Sequence, residues 1–241
     1  HRRELQRLSR SNADLARDNA ARTALLSAVS HDLRTPLASI KAAVGLLRGE
    51  LELSQQDEAE LLEVIESSSD KLSALIGNLL DMSRLRAGAM VAAPRPVDLA
   101  DLSTTFSGQR LLPIRWQLSP QARHVLADPG LLDRVVANLV ENAQRYQPAD
   151  MPLLITSSAL AKRVELRIID HGPGVEPERL DDLFRPFQRG GDVPLGTGIG
   201  LGLAVARGLA EAMDATLEAE STPGGGLTMV LSLPAVQEES A

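Results

Sequence analysis

The chain of 241 residues contains no cysteine. Disulfides, zinc–thiolate sites and cysteine nucleophiles are therefore excluded, and the composition fits a reducing compartment. Aromatic side chains make up only 2% of it, with Trp116 and Tyr146 the sole examples of their types, so any core must be built from Leu, Val, Ile and Ala. No apolar run approaches the ~20 residues needed to cross a bilayer, and no signal-peptide pattern is visible. Positive charge is also in deficit: the net charge is −7, which argues against non-specific binding to nucleic acid. The phosphate-binding signature GxxxxGK[ST] is missing, so any phosphate site must be built another way.

What is present divides into two halves. Hydrophobic residues make up 44% of the chain, enough for two compact domains. Residues 1–92 read as helical and 97–236 as mixed α/β, with "RAGAMVAAPRPVD" between them, where Pro94 and Pro96 are expected to end the preceding helix. The implied division is a helical lead-in over 1–22, a helical domain over 23–92, a linker over 93–97 and an α/β domain over 98–236. The chain opens directly in helical pattern, which reads as a piece of a longer protein. Leu26, Val29, Leu33, Leu37, Ile40, Val44 and Leu47 recur every three or four residues, and so do Leu61, Ile65, Ser68, Leu72, Leu75, Leu79 and Met82 after a turn signal. Two antiparallel helices with narrow apolar seams cannot bury them alone, and pairing two copies into a four-helix bundle solves this, so a homodimer is expected.

Within the first helix, "VSHDLRTPLASIK" sets His31 and Asp32 side by side and places Pro36 in the interior. His31 points away from the seam. An exposed histidine is commonly just solvated, but a carboxylate next to it can orient the imidazole or take its proton. Thr35 lies one turn on along the same face, and Pro36 removes an N–H and crowds the Asp32 carbonyl. A neutral imidazole is a competent nucleophile near pH 7.

In the second half, Asp128 and Pro129 announce the helix "DPGLLDRVVANLVENAQRY". "PLLITSSAL" with "RVELRIID", and "ATLEAES" with "LTMVLSLP" around "TPGGG", read as two hairpins. Helices on one face of a mixed sheet make an α/β sandwich. "DHGPGV" follows a strand and "GTGIGLGLA" opens a helix, where glycines and free N–H groups admit phosphates. Asp170, read as a buried acid, either caps its turn or accepts from an exocyclic purine amine. Asn138 and Asn142 share a helix face with Arg145 and Tyr146 close by, either an ordinary polar face or oxygen and cationic groups suited to Mg²⁺ and phosphate.

"SHDLRTPL", "NLVENAQRY", "DHGPGV", "LFRPFQR" and "GTGIGLGLA", in that order, resemble the H, N, G1, F and G2 boxes of bacterial sensor histidine kinases over about residues 20–235. "SHDLRTPLASIKAAV" with "RGLAEAMDATLEAESTPGGGLTMVLSLP" is similar to the potassium-responsive Kdp type. The resemblance implies a dimerising phosphotransfer bundle followed by a GHKL-type ATP-binding sandwich, in a cytoplasmic piece of a bacterial inner-membrane protein. It implies His31 as phosphoacceptor, Asp32 as its activating acid, and Thr35 as a water-placing group in dephosphorylation of the partner. It further implies ATP and Mg²⁺ as cofactors, with Asn142 holding the metal and Asn138, Arg145 and Tyr146 beside it. Asp170 would read adenine, Gly172 and Gly174 would shape the pocket, and Phe184 and Phe187 would belong to a lid over 176–199. Gly196, Thr197, Gly198, Gly200, Leu201 and Gly202 would line the phosphates. The implied partner is a response regulator, Kdp-type if the narrower likeness holds, with no direct contact to nucleic acid. One departure concerns 97–126, whose helix pattern is weak where such domains open with a clear helix. The rival readings are a sensor kinase for another stimulus and a GHKL ATPase without histidine phosphotransfer.

Overall fold

The computed structural model describes residues 29–49, 53–106, 113–148, 150–186 and 200–236. The lead-in over 1–22, Leu26, and the site candidates Phe187, Gly196, Thr197 and Gly198 lie outside the described residues. Two compact units divide the chain, His1–Gly77 with Pro194–Ile199, and Asn78–Val193 with Gly200–Ala241.

In the first unit, α1 (29–47) continues without a break through Pro36. Asp32, Pro36 and Ala43 are its buried residues, while Val29, Leu33, Ile40, Val44 and Leu47 are half-buried. Leu37, expected in the seam, is 57% exposed. A two-helix hairpin covers only one flank of each helix, and Leu37 falls on the other. The second helix, α2 (Gln55–Arg86), begins with a reciprocal cap: the Ser54 N–H donates to Asp57 Oδ2 at 3.1 Å and the Asp57 N–H to Ser54 Oγ at 3.1 Å. All seven residues of its expected seam are buried or half-buried. Leu62, Ile76 and Leu80 stand at least half exposed on another flank. Among the described residues, no helix is long and apolar enough to cross a membrane.

The end of α2 differs from the expectation. It stops at Arg86, well before Pro94, because Gly88 adopts φ +62° and the Ala89 N–H reaches back to the Arg84 carbonyl at 2.9 Å; a left-handed glycine closes the helix, and the prolines have no part in it. The second unit also begins inside α2. Met82, Leu85, Met90 and Ala92 pack against its hydrophobic core, and the fully buried Asp81 forms an ion pair with Arg134. The segment 93–97 is no bare connection either, since Arg95–Asp98 forms β1, antiparallel to β3 (His124–Ala127).

The weakly patterned 97–126 region contains a helix after all, α3 (Leu99–Phe106). Its signal is faint because it has two turns and three core residues, Leu99, Leu102 and Phe106. The Ala100 N–H donates to Asp98 Oδ1 at 2.9 Å at its start. A five-stranded sheet follows, in the order β2 (Ile114–Leu118), β4 (Leu153–Leu160), β5 (Arg163–Ile169), β7 (Leu227–Pro234), β6 (Thr216–Ser221). Only β2–β4 is parallel. Both expected hairpins are present, β4–β5 and β6–β7. Alternate residues Ile155, Leu166, Ile168, Met229 and Leu231 make the inner face. Against it lie α4 (Pro129–Tyr146), which buries Leu132, Val135, Val136, Leu139, Val140 and Ala143, and α5 (Gly202–Ala212). Asp128 caps α4, accepting from the Leu131 N–H at 3.1 Å, with Pro129 in the first turn as expected.

The Asp81 carboxylate has no hydrogen-bond partner besides its ion pair, and burial raises its pKa against the pull of Arg134. Taking away the cation of a buried pair leaves an uncompensated charge. Arg134→Met should therefore cost about 3 kcal/mol at neutral pH, whereas the double variant with Asp81→Leu should recover most of it. Urea unfolding of the four proteins checks this, and additive losses would show the two side chains to be independent.

Candidate active site

On α1, the His31 side chain is 62% exposed and that of Asp32 only 8%. The imidazole Nδ1 lies 3.0 Å from Asp32 Oδ1. With Nδ1–H donating to the carboxylate, the tautomer is set and Nε2 keeps its lone pair free. Asp32 Oδ2 is buried without a partner. Thr35 is exposed, and its hydroxyl donates to the His31 carbonyl at 3.4 Å, a long bond on the same flank as the ring. The structure thus brings together the three residues expected to act here.

The second group lies where β5, α4, α5 and the β6–β7 turn converge. Asp170, at the end of β5, is 4% exposed, as expected of a buried acid. Its Oδ1 accepts from the Gly172 N–H at 2.9 Å and the Leu227 N–H at 3.0 Å, which leaves Oδ2 for a ligand. Burial raises its pKa, and those two hydrogen bonds only partly offset the rise. The two glycines of the turn after it have no room for side chains. A Cβ on Gly172 would lie 2.8 Å from the Tyr146 carbonyl, and Gly174, at φ +72°, packs on Gly226.

Asn138 and Asn142 are half-buried on α4. The Asn138 amide donates to the Arg134 carbonyl at 2.9 Å, and its Oδ1 faces Gly202, where a Cβ would approach it to 3.0 Å. Arg145 pairs with Glu141 at 3.2 Å, and Tyr146 touches Gly172. Gly200 adopts φ +69°, Leu201 is buried, and Gly202 opens α5 with no side-chain cap. A helix start without a side-chain cap is one that an anion can satisfy. These features suit a nucleotide: an acceptor for a base amine, glycines that admit close approach, and a helix start for phosphate. No cluster of three His, Asp or Glu able to hold a metal occurs among the described residues. A divalent ion here would take most of its ligands from phosphate and water, with Asn142 as the amide oxygen.

Phe184, expected in the lid, is instead part of the core, 6% exposed under the Arg207 guanidinium at 3.6 Å from the ring centroid. Its apolar ring is held by the same burial that fixes α5. Sequence reasoning also missed Gln147, whose buried amide ties α4 to the turn after β5 through the His171 N–H. Nothing in a local pattern marks a glutamine for that task.

Two family profiles match the chain in succession. The His Kinase A (phospho-acceptor) domain covers 21–88, and the histidine kinase-, DNA gyrase B- and HSP90-like ATPase covers 127–237. The chain belongs to the bacterial sensor histidine kinases. Within them its sequence is similar to the sensor protein KdpD. It is 44% identical to that of Mycobacterium tuberculosis H37Rv over 98% of this chain and 28% of the relative, and 39% identical to that of Rathayibacter rathayi over 96% and 28%. The chain thus spans a little over a quarter of these relatives' length. Among solved structures, the histidine kinase AdeS of Acinetobacter baumannii matches with a TM-score of 0.60 at 25% identity, over 86% of this chain and 98% of that one. Full-length ShkA in complex with AMPPNP matches with 0.60 at 27% identity, over 88% and 46%.

Because its folded pKa is raised, Asp170 ionises at a cost to stability that is absent below the unfolded pKa and complete above the folded one. An asparagine keeps an acceptor for both N–H groups and carries no charge. Asp170→Asn should accordingly melt no lower than the parent at pH 8 without nucleotide, with the gap closing as the pH falls toward 4. A variant that melts lower at pH 8 would show the ionised carboxylate to be stabilising instead.

Proposed function

We propose that the chain transfers the γ-phosphoryl group of MgATP to His31 and then hands it to an aspartate of a response regulator. The observation that carries this is the exposed imidazole with Nδ1 fixed on a buried carboxylate, in a phospho-acceptor domain that an ATPase domain follows in the same chain. Residues 23–92 are then the dimerising phosphotransfer part and 98–236 the catalytic part. The exposed Leu37, Leu62, Ile76 and Leu80 are the apolar surface that a second copy would cover in a four-helix bundle. The likeness to KdpD favours potassium-responsive signalling, a Kdp-type regulator and a parent protein in the inner membrane.

In the reaction, the Nε2 lone pair attacks the γ-phosphorus and the bond to the β,γ-bridging oxygen breaks. ADP departs with that electron pair. The imidazole becomes cationic as the N–P bond forms, and Asp32 stabilises that charge or takes the Nδ1 proton. Asp170 would hold the base through its amine, Gly172 and Gly174 would let it approach, and Gly200, Leu201 and Gly202 would present main-chain N–H groups to phosphate, with Arg145 adding charge. Asn142 would hold Mg²⁺, which would supply charge neutralisation on the phosphates. Phe187, Thr197 and Gly198 remain assigned to the same pocket on the strength of the sequence motifs.

His31→Gln should abolish labelling from γ-labelled ATP while nucleotide affinity stays within about twofold of the parent. His124→Gln should keep the label, which should be acid-labile and base-stable as a phosphoramidate is. Undiminished labelling of the His31 variant would place the label on another residue and refute the assignment, whereas ATP hydrolysis with no label on the parent would favour an ATPase without histidine phosphotransfer.

Thr35 carries the phosphatase half of the reading. Its hydroxyl lies beside the phosphoacceptor yet is not needed for Nε2 to attack. Thr35→Ala should slow regulator dephosphorylation about tenfold or more and leave autophosphorylation within twofold. If both rates and the melting temperature decline together, the hydroxyl acts only to support the helix before Pro36.

A further inference from the structure

Gln147 sits at the C-terminal end of α4, 7% exposed, with its own N–H closing the helix on the Ala143 carbonyl at 2.9 Å. Its side chain is a three-way tie. Oε1 accepts from the His171 N–H at 2.8 Å, and Nε2 donates to the Met151 and Pro152 carbonyls at 3.1 Å each. Both amide hydrogens are used, and a buried amide with all its donors satisfied has one orientation.

The group it holds, in the turn after β5, is the peptide joining Asp170 to His171. That turn is gripped on its other sides by Leu227, whose N–H meets Asp170 Oδ1, and by the Tyr146 main chain against Gly172. Gln147 is the only side chain among the described residues that hydrogen-bonds the His171 N–H. Without it, that N–H would be left unpaired at the edge of the pocket and the turn would lose its hold on the α4 side. A shift of the turn on that side would move Asp170 Oδ2 while leaving the phosphate-facing groups of α5 in place.

We propose that Gln147 is a positioning residue for nucleobase selection: it aims the Asp170 carboxylate by fixing the turn from the α4 side. The proposal rests on the reading of Asp170 as the group that recognises the base. It sets a role apart from the phosphate and metal groups, because the tie reaches only the base side of the pocket.

The test uses the full chain with ATP, GTP and magnesium tripolyphosphate as probes. Gln147→Met keeps length and removes all three hydrogen bonds. It should weaken ATP binding about tenfold, change GTP and tripolyphosphate binding less than twofold, and leave His31 labelling at saturating ATP within twofold. Gln147→Asn, one methylene too short to span the tie, should shift the ATP-to-GTP ratio in the same direction, and it decides the matter if the Met variant fails to fold. Equal loss of affinity for all three probes, or none, would overturn the proposal. Asp170→Asn, run in parallel, separates the failures. If it lowers the ATP-to-GTP ratio and both Gln147 variants do not, Gln147 has no positioning role and the reading of Asp170 stands. If Asp170→Asn leaves the ratio unchanged, that reading falls and this proposal with it.

Discussion

The carboxylate of Asp170 is the constraint on which the catalytic unit's site depends. One buried oxygen takes the N–H of Gly172 and that of Leu227, so a single side chain both closes a turn and fastens the start of β7 to the end of β5. The Asp170 N–H then meets the Leu227 carbonyl at 3.0 Å, and Gly226 passes so close that a Cβ there would lie 2.0 Å from the Asp170 carbonyl. The glycine at 226 follows from this approach, since its φ of +109° belongs to a conformation that side chains avoid. Burying a charge is costly, and the hydrogen bonds on it offset only part of that cost. The site is therefore held in a shape that costs the free protein stability and leaves one carboxylate oxygen for a ligand.

Three buried acids illustrate how environment assigns a role. Asp81 faces a guanidinium and secures the last turns of α2 to α4. Asp170 faces main-chain N–H groups and shapes a turn. Asp32 faces an imidazole that is itself in water. Of the three, only the last sets a carboxylate inside and an imidazole outside, which is what the proposed attack on a phosphorus atom needs. Their residue type is the same, and their partners decide the chemistry.

The catalytic unit includes the end of a helix whose beginning belongs to the other unit. Met82 and Leu85 join the core of the sheet domain, and Leu85 approaches so near Gly208 of α5 that a Cβ there would lie 2.6 Å from it. A boundary drawn from composition falls at the proline-containing stretch, where the chain looks like a linker. Packing draws it earlier, because a helix ends its domain membership where its contacts change and not where its hydrogen bonds stop.

Much was legible beforehand because it is local. Heptad spacing announces α2 and its seam, Asp128 and Pro129 announce α4, alternation announces the first hairpin and the "TPGGG" turn the second. Neighbouring residues carry those signals, so a linear reading captures them. The placing of His31 away from the seam follows from helical periodicity alone, and Asp170 reads as a buried acid before a glycine turn. The tertiary structure decided what depends on partners distant in the chain. Leu37 is exposed because a hairpin has one inner flank, Phe184 is core because Arg207 and α5 close over it, and α3 exists because Leu99, Leu102 and Phe106 find a sheet to cover. Gln147 joins three segments that only folding brings together. A residue's own neighbours set its local conformation, whereas burial and hydrogen-bond partnership are set by groups tens of positions away, which no pattern within one segment encodes.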